Sequence, residues 1–289
     1  MEIKEVSPNV FAALRGDAGS NVGLIRTRAG HIIIDTTNFP SDMQEVLEAA
    51  GIQASDVSLV ILTHGHVDHV WGTQLFSCPI HAHRIAAAKI AANWAGPWTE
   101  AGREEMWKAY DQTDAERAAV SRVKSQGLLP TVPTRTFDHG HTLTHGETKL
   151  EIIPVGGHSP DSTFIWLPEA SVMFTGDNIF VGRYPFCHEA DTPQWISVLQ
   201  LLIGHQARTV VPGHGDLCTR AEIIALKDYL QETWQRTSEH VAQGHTIERT
   251  LADPEYRVRE GWSNAARLHE PNIRAMHAQA TRQAQAVVA

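Results

Sequence analysis

Cysteine is scarce in this chain. Its 289 residues contain three, Cys78, Cys187 and Cys218, far apart and without CxxC spacing. That count gives no disulfide framework, and a reducing compartment is the simpler reading, cytoplasmic by default. Long apolar runs are missing as well. No segment reaches the roughly 20 residues that span a bilayer. The start, Met1-Glu2-Ile3-Lys4-Glu5, is charged and leads into no apolar stretch, so no secretory signal and no membrane association are expected. Nor is there a run of Lys or Arg, and the formal net charge is -9, which argues against a nucleic-acid partner. A Gly-x-Ser-x-Gly elbow is absent, so nothing points to a serine nucleophile. Repeats, low-complexity tracts and flexible linkers are absent too.

What the chain has in quantity is histidine, 17 in all. Histidine is the commonest metal ligand, so the question is which of them share a site. With 42% hydrophobic and 20% charged residues the composition is that of a globular protein. Short β-branched segments separated by Gly-containing turns predict strands at 9–14, 21–27 and 31–35. A helix follows, with Ser41 as its N-cap and its end near Gly51. The apolar run 57–62 reads as a strand buried on both faces, and 78–81 as another short strand. Residues 84–127 are rich in Ala, Glu, Lys and Arg and read as helical, broken at Ala95-Gly96-Pro97. Strands return at 135–137, 149–155, 162–167, 171–175 and 207–211, with a helix at 192–203. A long helix begins at Ala221, Asp253-Pro254 breaks it, and a further helix runs from about Arg257 to the end. Strands grouped on either side of a helical segment predict two sheets covered by helices.

The chemistry sits just past the buried strand 57–62. Thr63-His64-Gly65-His66-Val67-Asp68-His69 offers four ligand side chains within six residues. His64 and His66 are imidazoles of the kind zinc prefers. Asp68 and His69 lie too close to share one tetrahedral ion comfortably with both, so the spacing suggests two ions side by side. Three later candidates stand in similar contexts, each after an apolar strand and a Gly-containing turn: His158, Asp177 and His214. Glycine lets the backbone turn sharply at such strand ends.

This pattern resembles the metallo-β-lactamase superfamily over roughly residues 9–235. The resemblance implies an α/β fold, the four-layer αββα sandwich, here with a helical insertion and C-terminal helices. A catalytic domain would span 1–245, including the insertion at 84–130, and a helical extension would span 246–289 on the same domain. By the same resemblance His64, His66 and His158 would hold one metal. Asp68, His69 and His214 would hold the other, Asp177 would bridge both, and Asp35 would support the ligand loop as a buried carboxylate outside the ligand set. An aspartate at the bridging position resembles glyoxalase II, lactonases and related hydrolases, whereas true β-lactamases of the superfamily usually have Cys or Ser there. Two divalent ions are therefore expected, zinc first, with manganese or iron as alternatives. They would share an activated, bridging hydroxide that cleaves a small-molecule lactone, ester or thioester, with Asp68 orienting the nucleophile or taking a proton. The alternatives are a mononuclear-iron redox enzyme similar to persulfide dioxygenases, and hydrolysis of phosphoesters or β-lactams.

Other features have bland readings. His81-Ala82-His83 and His139-Gly140-His141, with His145 nearby, lack a following Asp-His pair and read as surface or turn histidines. Asp35 has turn chemistry in Asp35-Thr36-Thr37-Asn38 as its alternative. Trp94, Trp98, Trp107 and Tyr110 are either a lid or packing for the insertion. Tyr184, Phe186 and His188 follow Asp177 closely, so at least one is expected to touch substrate. Arg183 is a candidate anion binder or a solvated surface residue. Cys187 and Cys218 read as packing residues. The stretch after about 245 is either an interface helix of a homodimer, a cover for the pocket, or both.

Overall fold

A computed structural model describes residues 1–16, 19–112, 114–129 and 131–288, the last two without their side chains. Pro130 and Ala289, the expected ends of the insertion and of the last helix, lie outside the described residues.

The chain forms two sheets. The first has seven strands among the described residues, in sequence order: β1 (Glu2–Ser7), β2 (Val10–Leu14), β3 (Val22–Ile25), β4 (His31–Ile34), β5 (Val57–Ile61), β6 (Ile80–His83) and β7 (Arg135–Phe137). Strands β1 to β4 are antiparallel and β4 to β7 parallel. The second sheet has five, β8 (His141–His145), β9 (Thr148–Pro154), β10 (Thr163–Leu167), β11 (Val172–Phe174) and β12 (Thr209–Val211), with β11 and β12 parallel.

Side-chain alternation along these strands builds the layers. Ile32, Ile34, Leu59 and Ile61 point inward and meet Leu150, Ile152, Ile165, Val172 and Phe174 of the other sheet. Their neighbours Ile33 and Val60 point outward, onto Met43, Val46 and Leu47 of α1 (Pro40–Ala50) and a tryptophan cluster. On the opposite outer face Phe164, Met173 and Val210 pack under α6 (Thr192–Gly204), α7 (Arg220–Ala242) and α9 (Ala265–Val288). Three apolar interfaces between four layers make an αββα sandwich. Full burial of one such Ile contributes about 1.5–3 kcal/mol.

The remaining helices are α2 (Val67–Val70), the insertion helices α3 (Arg84–Trp94), α4 (Glu100–Asp111) and α5 (Ala115–Lys124) between β6 and β7, and α8 (Ile247–Leu251). Trp71 anchors the insertion: its ring lies 6.4, 5.7 and 6.3 Å from those of Trp94, Trp98 and Trp107. No helix among the described residues is long and apolar enough to cross a membrane.

Several expectations are corrected. Phe39, not Ser41, caps α1, because Pro40 takes the first helical position with its fixed φ. The strand expected at 78–81 runs over Ile80–His83, which places His81 and His83 in the sheet. His83 is buried, and its ring caps α3 by accepting from the backbone of Ile85. The edge strands β1 and β8 escaped the reading because their charged and polar residues face solvent. The final helix starts at Ala265 rather than near Arg257, since Asn264 holds a left-handed turn (φ 65°).

Candidate metal centre

Strand register decides where the site forms. Parallel β4 and β5 pair Ile34 with Ile61, so the two chain segments leave the sheet together. Asp35 therefore meets Thr63: its carboxylate accepts from Thr63 N (2.8 Å) and Thr63 Oγ1 (2.7 Å). In the second sheet parallel β11 and β12 pair Phe174 with Val211 and deliver Asp177 and His214 side by side. The sheets are tied at this edge by Thr163 N donating to Thr63 O (2.9 Å) and by Asn21, whose amide donates to Pro212 O (3.0 Å) and Gly215 O (2.9 Å). Ligands commonly gather at the carboxyl ends of parallel strands.

The seven residues singled out in the sequence come together here in two groups, His64, His66, His158 and Asp177, and Asp68, His69, Asp177 and His214. Asp177 belongs to both. Its Oδ1 lies 3.0 Å from His69 Nε2 and 3.4 Å from His214 Nε2, while its Oδ2 lies 3.7 Å from both His64 Nε2 and His158 Nε2. His214 Nε2 is also 3.1 Å from Asp68 Oδ2. Gly213 makes this approach possible, because a Cβ there would lie 2.1 Å from Asp177 Oδ1.

Ligand-type atoms this close fit a metal. Donors about 2.0–2.1 Å from a tetrahedral ion stand roughly 3.3 Å apart, and His66 Nδ1 is 3.0 Å from His158 Nε2. His64 Nε2, His69 Nε2 and Asp177 Oδ1 are buried without a hydrogen-bond partner among the described residues. A native interior rarely leaves several such atoms facing one another unsatisfied. The donor set is imidazole and carboxylate, suited to zinc, manganese or iron.

Electrostatics divide the two groups. Burial pushes the His64 imidazole well below its ordinary value, and burial with the neighbouring His66 takes His158 down to about 3. These rings are neutral donors. Burial alone would lower His69 and His214 too, but Asp177 beside both, with Asp35 and Asp68, lifts His69 well above its usual value and His214 to about 9. Burial alone would raise the Asp68 and Asp177 carboxyls, yet His69 and His214 hold both well below the carboxylate range. The carboxylates of the second group thus hold protons on its two histidines.

Supporting contacts fix the rings. His69 Nδ1 lies 2.8 Å from Asp35 Oδ2, so Asp35 combines a left-handed turn (φ 60°) with a carboxylate that orients His69. His214 Nδ1 bonds Gly19 O (3.2 Å). Asn178 Oδ1 accepts from His158 N (3.1 Å), and Asp161 Oδ2 from Gly65 N (2.7 Å). Glu189 stands 3.4 Å from His66 Nε2 and is paired with Lys89 of α3. Asn21, Asn178, Asp161 and Glu189 were not picked out from the sequence. Asp161 carried a signal, standing three residues after His158; Glu189 carried none.

The centre opens into a cleft of about 1000 Å³. Phe186, His188, Trp98 and Tyr184 line it. Phe186 is exposed, with its ring 6.0 Å from that of His66 and 5.8 Å from that of His188. Tyr184 is fully buried, its hydroxyl accepts from Arg259 N (2.5 Å) and its ring packs on Tyr229 and Trp262. Trp94 packs against Trp71 and Trp98, and its Nε1 donates to Thr131 O (3.2 Å). Cys187 and Cys218 are buried, which pushes both thiols up, Cys218 to about 12, so neither is a ready nucleophile.

Residues 15–214 match the family model of the metallo-beta-lactamase superfamily. Acyl-coenzyme A thioesterase MBLAC2 of Gallus gallus is 24% identical over 207 residues, 68% of this chain and 72% of that protein. Atrochrysone carboxyl ACP thioesterase of Emericella nidulans is 25% identical over 221 residues, 75% of this chain and 59% of that protein. The stereoselective inverting sec-alkylsulfatase Pisa1 from Pseudomonas sp. shares the fold, with a TM-score of 0.74 at 17% identity over 96% of this chain and 50% of that one.

Proposed function

The chain belongs to the metallo-beta-lactamase superfamily, and from that premise we propose that it is a metal-dependent hydrolase of a small carboxylic derivative, an ester, lactone or thioester. The observation that carries the reading is Asp177, which turns one carboxylate oxygen to each histidine group. His64, His66 and His158 would hold one divalent ion and Asp68, His69 and His214 the other, with Asp177 between them. Bound ions of this kind polarise an acyl oxygen and acidify water towards a pKa of about 7.

The chain's own residues do the rest. Asp68 is the ligand-group carboxylate with the most access to the cleft, its side chain 25% exposed, and it stays ionised beside His69 and His214. It is placed to accept a hydrogen bond from an attacking water and to take its proton. Asp35 holds His69 with Nε2 turned towards Asp177. Glu189 stands 3.4 Å from His66 Nε2, while His66 Nδ1 faces His158. Trp98, Phe186 and the insertion would form an apolar wall for the acyl part, and Leu268 and Pro271 of the C-terminal segment would line the cleft as well. The thioesterase names of two relatives support the carboxylic class.

The test is metal analysis joined to a substrate panel. Purified protein is expected to carry close to two equivalents of zinc, manganese or iron, and to hydrolyse at least one lactone, thioester or aryl ester. A chelator is expected to abolish turnover and added metal to restore it. Protein without transition metal that is inert on the panel with added zinc or manganese overturns the reading. Iron with thiol-dependent oxygen uptake moves it to the redox class.

A further inference from the structure

Asp161 stands where the two chain segments that supply the first ligand group meet. Its Oδ2 accepts from Gly65 N (2.7 Å), the amide between His64 and His66, 96 positions away in sequence. Its own segment begins at His158 and is tightly tied. Ser162 N donates to Ser159 O (3.1 Å) and Ser159 N to Ser162 Oγ (3.1 Å). Thr163 Oγ1 donates to Asp161 O (3.0 Å), and Thr163 N to Thr63 O (2.9 Å). The Asp161 carboxylate thus couples the His64–His66 loop to the turn that carries His158, where His66 Nδ1 and His158 Nε2 face each other at 3.0 Å. The fit leaves little slack. A Cβ at Gly65 would lie 3.1 Å from Asp161 Oδ2 and 3.4 Å from Ala86 Cα of α3.

Any buried acceptor could make that hydrogen bond, and a carboxylate is a costly choice. Asp161 is 1% exposed. Among the described residues it pairs with no cation, and its Oδ1 is buried without a hydrogen-bond partner. Burying a charge is unfavourable unless something pairs with it. Asp35 is different, because its carboxylate meets Thr63 N, Thr63 Oγ1 and His69 Nδ1. A divalent ion held by His64, His66 and His158 would bring the missing positive charge to the far side of the Gly65 loop.

We infer that Asp161 is a positioning residue of the first ligand group: its hydrogen bond sets His64 and His66 against His158, and its charge adds to the affinity for the ion they hold. This role rests on the two-ion part of the proposed function, not on the reaction or its substrate. It gives each ligand group a supporting carboxylate of its own, Asp161 for one and Asp35 for the other, so that the two can be weakened separately.

The experiment isolates each group. His214→Ala removes a ligand from the second group only, and His158→Ala from the first only. Each is combined with Asp161→Asn, which keeps an acceptor for Gly65 N but removes the charge, and with Asp161→Ala, which removes both. Zinc affinity is read by competition with a chromophoric chelator, and the visible spectrum of the cobalt(II)-loaded protein reports ligand geometry. With His214→Ala, Asp161→Asn is expected to weaken binding about tenfold with the cobalt spectrum kept, and Asp161→Ala about 100-fold with the spectrum altered, the range of contacts around metal ligands. With His158→Ala, neither change is expected to alter the affinity of the remaining site. Unchanged affinity of the first site, or equal losses at both sites, overturns the inference. So does a metal-free Asp161→Asn protein that no longer unfolds cooperatively, since Asp161 would then serve the fold. Wild-type protein that binds no zinc overturns the two-ion reading and this role with it. Ions bound as expected without hydrolysis of any ester, lactone or thioester would sink the hydrolase reading and leave the role of Asp161 standing.

Discussion

Asp35 is a single carboxylate with three jobs: it accepts from Thr63 N, accepts from Thr63 Oγ1 and orients His69. Asp35→Asn keeps the shape but offers an amide nitrogen where one of these donors points. Supporting residues of this kind change metal affinity about 10–100-fold. The expected outcome is a loss of that size for the ion of the Asp68–His69–Asp177–His214 group, read by competition with a chromophoric chelator; unchanged affinity for both ions would make Asp35 a turn-former only. Proton bookkeeping separates the two groups as well. With its metal-free pKa raised from 6.5 to about 9, His214 is protonated at pH 7, and an ion must displace that proton. Affinity of this group should therefore rise with pH through about 9 as His214 loses its proton, and His69, raised in the same way, adds to the slope. His158, held down to about 3, is neutral throughout that range, so its group should show no such slope. Calorimetric titrations at pH 7 in buffers of differing ionisation enthalpy should find proton release with one class of sites and not the other.

Among the elements, the insertion helices α3 to α5 depend on aromatic packing more than on their own propensity. Trp107 is buried, lies 6.3 Å from Trp71 and donates to Ser125 Oγ (3.3 Å). Trp107→Ala should cost about 3–5 kcal/mol; denaturant unfolding followed by tryptophan fluorescence measures it, and an early separate transition would mean that the insertion melts alone. How much of this was legible follows from what each element must satisfy. Strands β4, β5, β11 and β12 are buried on both faces, so their apolar runs and the turns after them stand out, and candidate ligands follow β5, β11 and β12. Strand β8, His141-Thr142-Leu143-Thr144-His145, buries little beyond one face of Leu143 and Leu150 opposite it, and gives a weak signal. The stretch from about Arg257 to Asn264 reads as helical in the sequence, yet the Tyr184 hydroxyl holds Arg259 N and Gly182 holds Ser263 N, so tertiary contacts override propensity there. Glu189 and Lys89 meet only through the fold, and no local pattern announces such a pair.

For the whole molecule the question is whether the last helix is an appendage or part of the body that holds the site. The family match ends at residue 214, yet α9 reaches back to the segment that carries Phe186 and Glu189. Asn272 accepts from Cys187 N (3.2 Å) and donates to Pro185 O (2.9 Å), and Gln279 accepts from Thr192 N (3.2 Å). Leu268 and Met276 complete the apolar layer over Tyr184, Tyr229 and Trp195. A chain ending at Gln243 would keep every residue of both ligand groups while exposing that layer and leaving the backbone groups at Pro185, Cys187 and Thr192 without these partners. Each buried group left unpaired costs about 1–3 kcal/mol, and a protein of this size loses about 2–4 °C of Tm per kcal/mol. The shortened chain should therefore melt roughly 10 °C or more below the full one in differential scanning calorimetry. It should also show its largest kinetic loss in KM, because the loop bearing Phe186 and Glu189 loses its backing while the ligand strands stay intact. A shortened protein that melts with the full chain and keeps its KM would mean that α9 merely lies on a finished body.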